Sequence, residues 1–232
     1  MPLPLIVANW KMNGSQELLQ QYHDFFHQHL IDYQVIVCPP FPFLLQCDTA
    51  LFALGAQDCA HTDNGPFTGC VSASMLKQCN AQYVILGHSE RRTHFHEDGK
   101  MIQQKVQQAL AADLVPIICV GESWEARQAN RTESVIETQL QECLPNNPQD
   151  QARCIIAYEP LWAIGTSKIP SLEEIQSVHQ VIKQQYSQCP VLYGGSVMVV
   201  NIKQILGRDC VDGVLVGGAS LSLAFWESLV QP

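Results

Sequence analysis

The chain has 232 residues, of which 47% are hydrophobic and 15% charged. That balance excludes a disordered chain, and at this length folding buries roughly 70% of the unfolded surface, enough for a substantial core. Lys and Arg total 13 against 22 Asp and Glu, a formal charge of −9. With no basic run this argues against nucleic-acid and anionic-membrane partners, although local donors can still hold an anionic ligand.

Along the chain, short apolar runs alternate with segments of helical period. The first run is LIVAN at 5–9, and the stripe Leu18, Tyr22, Phe25, Phe26, His29 after it predicts a helix. VIVC at 35–38, LGAQD at 54–58 and YVILG at 83–87 follow, and then a second stripe at Ile102, Val106, Ala109 and Leu110. PIICVG at 116–121 precedes a third stripe at Ile136, Leu140, Cys143 and Leu144, and PNNPQD at 145–150 reads as a loop. CIIAYE at 154–159 leads to Leu172, Ile175, Val178, Ile182 and Tyr186, a helix opened by Ser171 and Glu174 at capping-box spacing. VLYGG at 191–195 and GVLVGG at 213–218 complete the series.

Most of these runs are apolar throughout rather than alternating, which suits strands of a parallel sheet buried on both faces. Eight such runs, with no linker or charge block between them, predict one domain over residues 1–232 built as a closed α/β barrel. A doubly wound open sheet is the alternative, because counting strands does not prove closure. No run approaches 18 apolar residues, so no membrane-spanning helix is expected. The opening MPLPLIVANWKMNG has no basic region and only a short apolar stretch, unlike a secretory leader. The ten cysteines include no CxxC pair, and several sit in apolar runs as small hydrophobes. A reducing, cytoplasmic setting is the expectation.

In such a barrel, chemistry belongs at the carboxyl ends of the strands. The first strand ends in Asn9, Trp10 and Lys11, which offers a fixed cation. The fourth ends in Gly87-His88-Ser89-Glu90-Arg91-Arg92. His88 can donate a hydrogen bond or accept a proton, and no companion ligands at metal spacing lie nearby. Glu90 and the two arginines could equally form a structural ion-pair cluster. The sixth strand delivers Glu159 to its end, where burial would make the carboxylate a stronger base. The apolar stretch Leu161-Trp162-Ala163-Ile164-Gly165-Thr166-Ser167 reads as a lid, or as an interface. The seventh and eighth strands end in Gly194-Gly195-Ser196 and Gly217-Gly218-Ala219-Ser220. Two glycine pairs after the last two strands match the recurrent phosphate site of this architecture. These residues alone point to proton transfer on a small phosphorylated compound.

Taken together, the motifs ANWKMN (8–13), GAQDC (55–59), PFTG (66–69), GHSERR (87–92), CVGE (119–122), AYEPLWAIGTS (157–167), YGGSV (193–197) and DGVLVGGASL (212–221) closely resemble the triosephosphate isomerase family, in the family's order and over essentially the whole chain. The resemblance implies a TIM barrel that interconverts dihydroxyacetone phosphate and D-glyceraldehyde 3-phosphate through an enediolate, a step of glycolysis and gluconeogenesis. It implies Glu159 as the base and His88 as the neutral imidazole that polarises the carbonyl. Lys11 would offset phosphate and enediolate charge, Asn9 would add a hydrogen bond, and Glu90 would support the site. Main-chain N–H groups of Gly165, Ser196, Gly217 and Gly218 would hold the phosphate, under a lid at 160–170. No metal or organic cofactor is implied, and the partner is a second copy of the chain in a homodimer.

Two departures stand out. Ser167 occupies a position that is usually Gly in the family, and Pro170 follows Ile169, so a stiffer lid hinge is expected. Cys70 occupies the place of a Glu that usually pairs across the dimer with the arginine matched by Arg91, so Arg91 should find another partner. A catalytically silent phosphate-binding protein on the same scaffold is the second reading, against which the intact set Asn9, Lys11, His88 and Glu159 argues. A barrel isomerase acting on another phosphorylated sugar is a third.

Overall fold

A computed structural model describes residues 3–164 and 168–230. Eight parallel strands close into a barrel in chain order: β1 (Leu5–Asn9), β2 (Gln34–Cys38), β3 (Ala53–Ala56), β4 (Tyr83–Leu86), β5 (Val115–Val120), β6 (Ile155–Tyr158), β7 (Val191–Tyr193) and β8 (Gly213–Val216). β8 returns to β1 with Leu5 opposite Gly213, which closes the sheet and excludes the open alternative.

Helices cover the outside. They are α1 (Gln16–Gln28), α2 (Ala73–Gln78), α3 (Ser89–His94), α4 (Gly99–Ala111), α5 (Trp124–Gln128), α6 (Thr132–Cys143), α7 (Pro148–Gln151), α8 (Leu172–Gln185), α9 (Ile202–Leu206) and α10 (Leu223–Glu227). The capping box of α8 forms as its spacing predicts, Ser171 accepting from Glu174 N and Glu174 from Ser171 N. Two local readings need correction. The connection after β2 carries only the 3-10 turn Phe41–Gln46, not a helix. The segment 145–150 is not all loop: Asn147 caps the single turn α7, with Pro148 at its first position, where a missing N–H costs nothing.

The alternation of strand side chains makes two apolar layers. Leu5, Val7, Ile36, Cys38, Ile85, Ile117, Cys119, Ile155, Ala157, Leu192 and Leu215 fill the barrel interior. Ile6, Ala8, Val35, Val37, Val84, Ile118 and Ile156 face outward and meet the helix stripes of Tyr22, Phe25, Ile102, Val106, Ile136, Leu140, Ile175 and Ile182. Both faces are dry, so the strands read as unbroken apolar runs. Among the described residues no helix is long and apolar enough to cross a membrane.

Candidate active site

The same alternation carries polar groups to the barrel mouth. Leu5 and Val7 point inward along β1, and the next inward position is Asn9. Ile155 and Ala157 lead in the same way to Glu159, Leu192 to Gly194 and Leu215 to Gly217. After β4 the chain turns at Gly87, whose φ of 66° suits glycine, and His88 becomes the cap of α3. Asn9, Lys11, His88, Glu159, Gly195, Ser196, Gly217 and Gly218 all line one cavity of ≈ 290 Å³.

His88 and Glu159 are both buried and touch: Nε2 lies 3.1 Å from Oε1. The other carboxylate oxygen of Glu159 accepts from Ser89 N at 3.1 Å. Nδ1 of His88 accepts the main-chain N–H of Glu90 at 3.2 Å, which leaves the ring proton on Nε2, facing the cavity. Burial opposes the imidazolium, but the neighbouring Glu159 carboxylate outweighs it and holds the His88 pKa above its ordinary value.

Lys11 Nζ donates to Glu90 Oε1 at 2.6 Å. Burial works against the Glu90 carboxylate, yet the Lys11 bond and the His88 charge keep its pKa below the usual range. Lys11 sits at φ 53°, and Gln57 fastens it by donating to the Lys11 carbonyl at 2.8 Å and to the Cys38 carbonyl at 2.9 Å. On the opposite wall Ser196 Oγ donates to Ala163 O at 2.5 Å, and Asn201 Nδ2 donates to Ser196 O at 2.9 Å. Ser220 holds the Gly217 carbonyl with both its N–H, at 3.0 Å, and its hydroxyl, at 2.8 Å. Gly165 and Ser167 lie outside the described residues. Of the rest of the lid segment, Leu161–Ala163 form a 3-10 turn in which Trp162 Nε1 donates to Glu122 Oε1 at 2.9 Å, and Pro170 is buried.

The structure does not gather Glu90 with the two arginines. Arg92 donates to the carbonyls of Gly87 and Cys119, at 2.8 and 2.9 Å. Arg91 reaches Asp58 at 2.9 Å and Glu97 at 2.7 Å, so it has partners within its own chain, while Cys70 is exposed. Lys105, buried, bonds the same two carboxylates at 2.7 and 2.6 Å. Sequence reasoning missed this quartet, in which Glu97 and Lys105 are buried and Asp58 and Arg91 half-buried, as well as Gln57, Ser89, Glu122 and the packing role of Gly121. A Cβ on Gly121 would lie 1.7 Å from the Glu159 carbonyl oxygen, so only glycine lets β5 pass so close behind the carboxylate. Among the described residues no group of three or more His, Cys, Asp or Glu could hold a metal ion.

The family model described as triosephosphate isomerase matches residues 4–232. A triosephosphate isomerase of Halorhodospira halophila is 42% identical over 230 residues, covering 94% of this chain and 92% of the relative. One from Herminiimonas arsenicoxydans is 40% identical, with 98% of each chain covered. The crystal structure of triosephosphate isomerase from Bartonella henselae superposes with a TM-score of 0.86 at 35% identity, over 97% of this chain and 98% of that one. The chain therefore belongs to the triosephosphate isomerase family and is an aldose–ketose isomerase that interconverts dihydroxyacetone phosphate and D-glyceraldehyde 3-phosphate.

Proposed function

We propose that Glu159 and His88 carry out this isomerisation as base and electrophile. The contact between them, at 3.1 Å on the inner wall of the cavity, is the observation that supports the pairing. That spacing admits no substrate carbon, so binding must part them: Glu159 leaves Ser89 N and stands across the reacting carbons. Its carboxylate then takes the proton from the hydroxymethyl carbon. The electron pair moves through the carbon–carbon bond onto the carbonyl oxygen, to which the Nε2–H of His88 donates. Once Glu159 has moved away, burial dominates at His88 and favours the neutral ring, the form able to shuttle a proton between the two oxygens. Glu159 returns its proton to the adjacent carbon.

Lys11, backed by Glu90, offsets the phosphate and enediolate charge, and Asn9 adds a hydrogen bond beside it. Main-chain N–H groups of Gly165, Ser196, Gly217 and Gly218 hold the phosphate. The lid at 160–170 closes over the intermediate and excludes water. Replacing Glu159→Gln keeps the shape and removes the base, so kcat falls by about a thousandfold or more. Retention of more than a tenth of the wild-type kcat would overturn the assignment of the base.

We further propose one domain over residues 1–232, assembled as a homodimer through the face that carries the PFTG loop. Phe67 and Met75 line one surface hollow with this loop and are exposed, which supports the reading. Sedimentation equilibrium tests it, and a monomer at micromolar concentration would contradict it. A cytoplasmic site of action is supported by the unpaired state of all ten cysteines.

A further inference from the structure

Behind the last glycine pair lies a hydrogen-bond relay that the reaction scheme does not use. The turn Gly218–Leu221 follows β8, and within it Ser220 is fully buried. Its N–H and hydroxyl fix the Gly217 carbonyl, as described above. Its own carbonyl accepts two side-chain donors from the helices outside: Tyr22 OH of α1 at 2.5 Å and Trp226 Nε1 of α10 at 2.9 Å. Trp226 Nε1 is also within 3.0 Å of the Tyr22 oxygen. Tyr22 meets Trp226 edge-on at 5.6 Å between ring centroids, and Trp10 edge-on at 4.8 Å. Trp10 is the residue between Asn9 and Lys11. One phenol thus backs two walls of the cavity: the Gly217–Gly218 turn through Ser220, and the Asn9–Lys11 segment through Trp10.

We infer that Tyr22 is a positioning residue for phosphate binding. It touches neither substrate nor reacting atoms. It holds the Ser220 carbonyl in place, Ser220 holds the Gly217 carbonyl, and with the Gly217–Gly218 peptide fixed its N–H, that of Gly218, stays aimed at the cavity. The inference rests on the proposal that this N–H group binds the phosphate. The burial of Tyr22, Ser220 and Trp226 favours this role, because a carbonyl buried among apolar rings takes its geometry from the few donors that reach it.

The test separates phosphate binding from folding. Tyr22→Phe keeps the ring and deletes the hydroxyl. With one neutral hydrogen bond lost, the inhibition constant of inorganic phosphate rises about fivefold and kcat/KM for the triose phosphates falls by the same factor. The kcat/KM for D-glyceraldehyde, which lacks the phosphate and needs only the other end of the cavity, stays unchanged. Trp226→Phe, which removes the second donor, shifts phosphate inhibition in the same direction and serves if the first variant does not fold. Phe26 packs against Tyr22 and Trp226 but makes none of the relay's hydrogen bonds, so Phe26→Leu lowers the thermal midpoint while the phosphate inhibition constant holds.

An unchanged phosphate constant in Tyr22→Phe, an equal loss on both substrates, or an equal shift in Phe26→Leu would each overturn the role of Tyr22. If inorganic phosphate does not compete with triose phosphate in the unaltered protein, the phosphate-site reading itself falls. Competition there, combined with an unmoved constant in the variant, removes the Tyr22 assignment alone.

Discussion

The closest backbone approach in the site gives the sharpest prediction. In Gly121→Ala the new Cβ would lie 1.7 Å from the Glu159 carbonyl oxygen, where side-chain carbons essentially never come nearer than 3.0 Å. The two backbones would therefore have to part by about 1.3 Å in a close-packed wall. Gly121 cannot simply retreat, because Gln139 clamps it from behind, accepting from Gly121 N at 2.8 Å and donating to Gly121 O at 3.0 Å. The other side is tied as well: Glu159 N donates to Val120 O at 2.7 Å, and Leu161 N to Glu122 O at 3.1 Å. The displacement falls largely on Glu159, the proposed base, and a misplacement of about 1 Å lowers a rate roughly a hundredfold. Overpacking destabilises by about 1–3 kcal/mol, so the fold survives. Steady-state isomerisation, run beside thermal unfolding, should show kcat/KM down about a hundredfold in a folded enzyme. Adding Gln139→Ala releases the clamp and restores part of the loss. A kcat/KM within tenfold of wild type would refute the reasoning, since the contact would then relax without moving Glu159.

Three further outcomes follow from buried charge. Lys105→Met strips the ammonium from Asp58 and Glu97 and should destabilise by about 3 kcal/mol in urea unfolding, the lower end of the range for a broken buried pair because Arg91 still faces both carboxylates. The double variant Lys105→Met, Glu97→Gln should be more stable than the single one, and the reverse order would contradict the account. At His88 the Glu159 charge is what lifts the imidazole pKa against burial, so Glu159→Gln should bring it below about 6.5, as read by NMR titration; an unmoved value would show that the charge is not the cause. His179 is fully buried, with Nδ1 3.2 Å from Cys210 O, and burial lowers its pKa to about 4. The native state thus refuses a proton that the unfolded chain accepts, so stability is complete above about pH 6.5 and loses about 3 kcal/mol as the pH falls to 4. His179→Asn should flatten that slope of unfolding free energy against pH, and an identical slope would rule His179 out as its source.

The barrel was legible because its signal is local and repeated. A strand dry on both faces has no polar residue to hide, so runs such as VIVC and PIICV declare themselves, and the helix stripes declare the layer that covers them. The strand-end groups were legible too, because parity along a strand carries an inward residue to the mouth: Leu5, Val7, Asn9 and Ile155, Ala157, Glu159. What stayed hidden depends on distance along the chain. Asp58 and Lys105 are 47 residues apart, Tyr22 and Ser220 198, and no spacing rule links such pairs. Gly121 looks like one more loop glycine until the β5–β6 register sets Val120 against Tyr158 and brings the next residues into contact. Glu90 misled for a related reason. Its neighbours in sequence are arginines, but helical geometry turns Arg91 and Arg92 away and leaves Lys11, 79 residues distant, as its partner.

The charge of the chain bears on why the proposed phosphate cradle is built from glycines. With His88 neutral, the described lining of the cavity holds one cation, Lys11, which is paired with Glu90 just outside the lining and faces Glu159 within it, so the cluster's formal charge has the same sign as the chain's −9. Attraction for a phosphate dianion therefore cannot come from excess charge. A second Lys or Arg would supply it, but a cation within about 4–6 Å of a carboxylate favours the ionised form and would weaken Glu159 as a base. Main-chain N–H groups avoid that conflict. Their dipoles act at contact distance, point where the peptide is held, and do not titrate. Glycine at 217 and 218 lets those peptides come close to an anion, and the Ser220 relay fixes the direction in which the Gly217–Gly218 peptide points. On the proposed assignment, the phosphate is gripped at one end of the cavity while Glu159 at the other end stays free to accept a proton.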